Sequence, residues 1–174
     1  MRYLLLALLC LLPSACKTQP GPVPGDQHDP SVHEAILATL DRFFEAMADR
    51  DQDTFAGLLT ATSTMHSMGL LDGEWHLRVR SASDSVANLA RGTEKLVETY
   101  WEPTVLRRGP IAVAWTPYRF TIDGEDSHGG VNIFNLIQLN GQWRIVNVSY
   151  TMEPPGSAGL APEGIEAVRP RSLR

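Results

Sequence analysis

Apolar residues recur at helical spacing only in the first half of the chain, and three long strand-like runs fill residues 110 to 152. Val32, Ile36, Leu40, Phe43, Phe44 and Met47 form one stripe three and four residues apart, which predicts an amphipathic helix. Ser31 and Glu34 make a capping-box pattern at its start. Asp49-Arg50-Asp51 interrupts, and Phe55, Leu58 and Leu59 predict a short second helix. Thr62 to Leu71 and Glu74 to Val79 flank Asp72-Gly73 and predict a first hairpin. Ser83 is placed to cap a third helix carrying Val86, Leu89 and Ala90, which Gly92 would stop. Leu96 to Leu106 reads as extended, with Pro103 at an edge or a bulge.

The strand-like runs are Ile111 to Ile122, Ser127 to Leu139 and Gln142 to Met152. Asp123-Gly124 and Asn140-Gly141 lie at the junctions, and such dipeptides favour tight hairpin turns because both central residues adopt positive φ. Helices first and a large antiparallel sheet last define an α+β domain, with helices packed on one face of a curved sheet. That shape can enclose a pocket.

Turn lengths give a register. A two-residue turn at Asn140-Gly141 puts Val131, Ile133, Asn135 and Ile137 on one face with Val146, Val148 and Tyr150. A four-residue turn from Asp123 to Asp126 adds Ala112, Ala114, Thr116 and Tyr118. The opposite face then receives Val113, Trp115, Phe134, Leu136, Trp143 and Ile145. The first face has small residues and isolated polar tips, which suits a ligand cavity. The second is dense with aromatics, and Trp115, Phe134 and Trp143 are expected to form a homodimer contact.

The termini are of a different character. Arg2 and the apolar run Tyr3 to Leu12 read as a signal peptide over residues 1–15, too short to span a bilayer as a stable helix. Leu12-Pro13-Ser14-Ala15-Cys16 resembles a bacterial lipoprotein signal, which implies a lipid on Cys16 and a membrane-anchored, periplasm-facing protein. Lys17 is compatible with outer-membrane sorting, and Pro13 departs from the usual leucine. The alternative is an ordinary secretory signal cut near Ala15. Residues 16–30, rich in Pro and Gly, read as a tether, and residues 154–174 as a disordered tail. The folded domain is therefore expected over residues 31–153.

Composition narrows the functions. The chain has 174 residues, enough for one domain with a real core. Its formal net charge of −5 and lack of a basic run argue against nucleic-acid binding. Cys10 and Cys16 are the two cysteines, so a domain starting at residue 31 has no disulfide and no thiolate metal ligand. No metal-ligand spacing, nucleophile elbow or phosphate loop is present, and no cofactor is expected.

Several local motifs resemble the nuclear transport factor two-like superfamily, in particular its SnoaL-like and lumazine-binding group. They are Phe43-Phe44-Glu45-Ala46-Met47 followed by Asp49 to Asp53, Trp101-Glu102-Pro103-Thr104-Val105, Val113-Ala114-Trp115-Thr116-Pro117-Tyr118, Ser127-His128-Gly129-Gly130-Val131 and Gly141-Gln142-Trp143-Arg144-Ile145-Val146. The resemblance covers about residues 33 to 153 and implies a cone-shaped fold. That fold serves isomerases, dehydratases and pure binders alike, so activity must come from the site. Relatives often carry Cys and Asp where this chain has Gly129 and Asn132, so a site built on those groups is altered here.

The expected ligand-binding residues are His66, Trp101, Thr116, Tyr118, Asn135 and Tyr150. His128, beside two glycines that would let another group approach its backbone closely, is the best placed general acid or base. Each has a plainer reading: a strand-end histidine bonded to a neighbour, or a buried tyrosine that finds a backbone partner. The three C-terminal strands hold no Asp or Glu within their runs. A proton-transfer enzyme of the isomerase or dehydratase kind would need His128, His66, or a carboxylate from another element such as Glu98 or Asp41. The shortage favours a module that binds a small, largely apolar molecule. The third reading is a structural dimerisation domain with a filled interior.

Overall fold

The computed structural model describes residues 29–155. The signal segment, Cys16, the tether up to residue 28 and the tail from residue 156 lie outside the described residues.

The chain opens with α1 (Pro30–Ala48) and α2 (Gln52–Leu58), followed by a hairpin of β1 (Leu59–Leu71) and β2 (Glu74–Ser81). α3 (Ala82–Arg91) leads into β3 (Leu96–Tyr100) and β4 (Thr104–Arg108). The meander β5 (Ile111–Ile122), β6 (Glu125–Leu139) and β7 (Gln142–Met152) closes the fold. The helix caps sit slightly earlier than the sequence predicts. Asp29 rather than Ser31 caps α1, accepting from Ser31 N at 3.0 Å, with Pro30 in the first turn where its missing N–H is harmless. Ser81 rather than Ser83 caps α3. The extended run from Leu96 breaks into two strands at Trp101-Glu102-Pro103, where Glu102 has φ 43°.

The sheet order is β2-β1-β7-β6-β5-β3, and β4 also pairs with β5. Neighbours are antiparallel apart from β1 and β7, which run parallel, so the sheet is mixed rather than purely antiparallel. Three hairpin turns have the expected dipeptides at positive φ: Asp72-Gly73, Asp123-Gly124 and Asn140-Gly141.

Two bulges alter the register. The β5–β6 turn holds two residues, with Ile122 opposite Glu125, and Ser127 is then inserted before Phe120 meets His128. In β6–β7, Val146 is inserted between the pairs Leu136–Ile145 and Asn135–Asn147. Each inserted residue changes which side chains share a face. The face under the helices therefore carries Ala112, Ala114, Thr116 and Tyr118 with Asn132, Phe134 and Leu136, and then Val148 and Tyr150.

This corrects two expectations. Asn135 lies on the outer face, where its Nδ2 donates to Asn147 Oδ1 at 3.2 Å. Phe134 and Trp143 lie in the core under the helices, fully and almost fully buried, whereas Trp115 is outside. The three aromatics do not share a dimer face. Phe134 instead receives Phe43 and Phe44 edge-on, both with centroids 5.7 Å away. Phe43 also stacks on Phe55, which joins α1 to α2. Ile36 and Leu40 complete the helix–sheet core.

Arg50, at φ 54°, ties the helical layer to the start of β3. Its guanidinium donates to the carbonyls of Leu89 and Glu94 and pairs with the Glu94 carboxylate at 3.0 Å.

Candidate functional site

Between the helices and the inner face lies an open-mouthed cavity of about 770 Å³. This falls within the range of small-molecule sites. Phe43, Phe44, Phe55, Met65, Leu89 and Phe134 supply apolar wall. The polar groups gather on β3, the middle of β5 and β6, and the end of β7.

Glu98 is the central one. β3 pairs with β5 so that Glu98 sits opposite Phe120, on the same inner face as Tyr100 and Tyr118. Asn132, from β6, donates through Nδ2 to Glu98 Oε1 at 2.6 Å. Part of Glu98 stays open and lines the cavity, yet protein atoms pack around the carboxyl. Burial pushes its pKa up from 4.5 to about 8, and the Asn132 hydrogen bond only partly opposes this. At neutral pH Glu98 is therefore mainly a neutral acid. Its Oε1 accepts from Asn132, and the remaining oxygen can donate a proton toward the cavity.

Tyr118 is 1% exposed and its hydroxyl donates to Thr151 O at 2.6 Å. Burial, followed by the nearby Glu98, Tyr150 and Glu153, holds its phenol above the usual range. Its proton is thus committed to the backbone. Tyr150 differs: its hydroxyl accepts from Arg80 Nη2 at 2.7 Å, which leaves its own proton free for another acceptor. Arg80 polarises that hydroxyl and makes it a better donor. His128 packs against Phe120 and edge-on to Tyr118, and its Nδ1 pairs with Ser127 Oγ at 3.0 Å. Burial lowers its pKa, so the imidazole is neutral at neutral pH.

Of the residues expected from the sequence, Tyr118, Tyr150 and His128 line the cavity. His66 does not: it is the outward neighbour of the wall residues Met65 and Ser67 in β1. Trp101 lies in the β3–β4 break, 37% exposed, with its backbone N–H donated to Pro117 O, and it does not line the cavity. Thr116 is fully buried beneath the core, and its Oγ1 has no partner among the described residues. Asn135 faces away, as described above. Arg80 was not anticipated, and Asn132 was singled out only as a position where relatives often carry another residue. The unseen bulges hid that Asn132 shares the inner face with Thr116 and Tyr150. The period-two pattern His76, Arg78, Arg80 in β2 was the signal available for Arg80.

No group of three or more His, Cys, Asp or Glu is placed to hold a metal ion among the described residues. No helix among them is long and apolar enough to cross a membrane.

No family model matches the chain, and no curated protein matches it by sequence. Solved structures do match its fold. The beta subunit of a candidate aromatic-ring-hydroxylating dioxygenase from Novosphingobium aromaticivorans aligns with TM-score 0.60 at 12% identity, over 71% of this chain and 92% of that one. An NTF2-like protein from Cytophaga hutchinsonii aligns with TM-score 0.59 at 13% identity, over 69% and 97%. A candidate scytalone dehydratase from Novosphingobium aromaticivorans gives 0.56 at 8%, over 75% and 97%. The chain has the α+β cone fold of the NTF2-like proteins. At these identities the likeness defines architecture alone.

Proposed function

We propose that this domain binds a small, largely apolar molecule in its cone cavity, and that the chain is exported and anchored through a lipid on Cys16. The observation that carries the binding reading is the 770 Å³ cavity itself, walled by aromatic and aliphatic side chains with a few convergent polar groups. Export and lipidation rest on the lipoprotein-like pattern around Cys16. We propose too that a second copy of the chain docks on the outer sheet face, where Val113, Trp115 and Ile133 are partly open. Phe134 and Trp143 have no part in that contact. Native mass spectrometry of the gently extracted full chain reads all three points. The expected species is a dimer whose subunits carry an acylated Cys16 and a non-covalently held small molecule. A bare subunit that also fails to take up apolar probes would remove the binding reading.

A second reading is a proton-transfer enzyme of the isomerase or dehydratase kind. Glu98 favours it, because a carboxyl with pKa about 8 on an apolar wall is matched to proton exchange near neutral pH. Tyr150, backed by Arg80, supplies a donor for an oxygen on which negative charge develops. The expected result is that the protein speeds deuterium incorporation from D2O into a bound enone. Glu98→Gln should slow it by roughly 10²–10⁴-fold, the usual worth of a general acid or base. An unchanged exchange rate in the variant would leave the domain as a binder.

A further inference from the structure

The β1–β2 hairpin contributes a basic row to the cavity, of which the readings above use only Arg80, as the partner of Tyr150. Antiparallel pairing sets Arg80 opposite Met65, Arg78 opposite Ser67 and His76 opposite Gly69. Met65, Ser67 and Gly69 line the cavity, so the period-two alternation carries His76, Arg78 and Arg80 onto the same side, and all three line it too. Leu70, Leu71 and Leu77 complete this part of the wall and are exposed, which places the row toward the mouth. The aromatic wall lies deeper, where Phe43, Phe55 and Phe134 are buried.

Neither Arg78 nor Arg80 has a carboxylate partner among the described residues; the ion pairs found there are Arg50–Glu94 and Arg119–Asp126. Arg80 spends one N–H on the Tyr150 hydroxyl. A guanidinium carries five donors, so most remain for a ligand. The two carboxyls that share the cavity, Glu98 and Glu153, form no ion pair with Arg78 or Arg80. Glu98 is mainly protonated, and Glu153 accepts from Thr151 Oγ1 at 2.8 Å.

We infer that the ligand of this cavity is an amphipathic anion. Its apolar body lies among Phe43, Phe55, Met65 and Phe134, and its carboxylate, sulfate or phosphate head is held by Arg78 and Arg80 at the mouth. The inference rests on the binding reading and narrows it. Two guanidinia on one strand, two residues apart, bind an oxyanion with charge-assisted hydrogen bonds, which are stronger than those a neutral head group makes. Arg80 is the link between mouth and interior, because it reaches both the head group and Tyr150.

The test is isothermal titration calorimetry of the full chain with decanoate, decanol and decyltrimethylammonium at neutral pH, below their micelle concentrations. Decanoate is expected to bind at least about tenfold more tightly than decanol, and the ammonium probe least tightly. In Arg78→Gln, which leaves the Arg80–Tyr150 pair in place, decanoate should weaken by about tenfold while decanol stays within about twofold. Arg78 lies on the hairpin away from the helix–sheet core, and circular dichroism checks that the variant is folded. Equal binding of decanol and decanoate, or an equal loss of both in the variant, overturns the anion assignment and leaves the apolar cavity in place. Failure of every probe overturns the cavity reading and the inference with it.

Discussion

Glu98→Gln is expected to stabilise the domain at alkaline pH and to have almost no effect in acid. The folded-state pKa of Glu98 is raised from 4.5 to about 8 by burial. Below the lower value both folded and unfolded chains hold the proton, and the site costs nothing. Between the two values the unfolded chain releases it while the folded one retains it, so stability falls with rising pH, at most by about 1.4 kcal/mol per unit. Above the upper value both forms are ionised and the loss stays constant. Glutamine keeps an oxygen for Asn132 to donate to and never ionises, so its stability lacks this decline. Thermal melts from about pH 4 to 9 should show the two proteins coinciding at the acid end, with the variant roughly 5 °C or more above wild type near pH 8.5. A constant gap across the series would mean that Glu98 titrates like a surface carboxylate, and the account of the site would fail.

Gly130→Ala should be among the most damaging single changes in the sheet. Gly130 has φ 145°, a conformation that side chains oppose. A Cβ there would lie 2.4 Å from Thr151 Oγ1 and 2.6 Å from Thr151 O, well inside contact distance. Neither neighbour can retreat cheaply. Thr151 O accepts the Tyr118 hydroxyl at 2.6 Å, and Thr151 Oγ1 accepts Val131 N while donating to Glu153. Backbone strain of ~1–3 kcal/mol adds to the displacement of these part-buried bonds, so a loss of about 3 kcal/mol is expected. Urea denaturation measures it as a drop in midpoint with unchanged slope. Gly57→Ala is the control. Nothing lies within 4 Å of a Cβ at that helical position, and alanine favours the helix there. A Gly130 variant as stable as the Gly57 variant would show that the β6–β7 approach is looser than the contacts imply.

The same pair of strands explains what could be read from the sequence. Helix stripes and Asp-Gly or Asn-Gly turns are local signals, and they led to the right order of elements, with the run from Leu96 read as one extended segment where the fold has two strands. The bulges are different. Nothing in Asp126-Ser127-His128 or Ile145-Val146-Asn147 marks an inserted residue, because a bulge is chosen by how the sheet must bend. Two missed insertions, one on each side of β6, exchanged Asn135 for Asn132 and put Phe134 and Trp143 on the wrong side. Tyr118 and Tyr150 survived because the two errors cancel between β5 and β7. The glycine pair after His128 was legible as a place of close approach, and Thr151 is what approaches. Glu98 was visible only as one of several acids outside the last three strands, since its burial depends on β3 docking beside β5. Arg80 and Asn132 matter through partners 70 and 34 positions away, at separations that no local pattern encodes.

The parallel pairing of β1 with β7 has a consequence for biosynthesis. The first hairpin leaves the ribosome as an arm without its inner neighbour, because the strand that will flank it ends at Met152. Its apolar positions must wait for almost the whole domain to be translated before they are covered. Closure of the cone is therefore a late, long-range event, and the nascent arm is where chaperone protection is most needed.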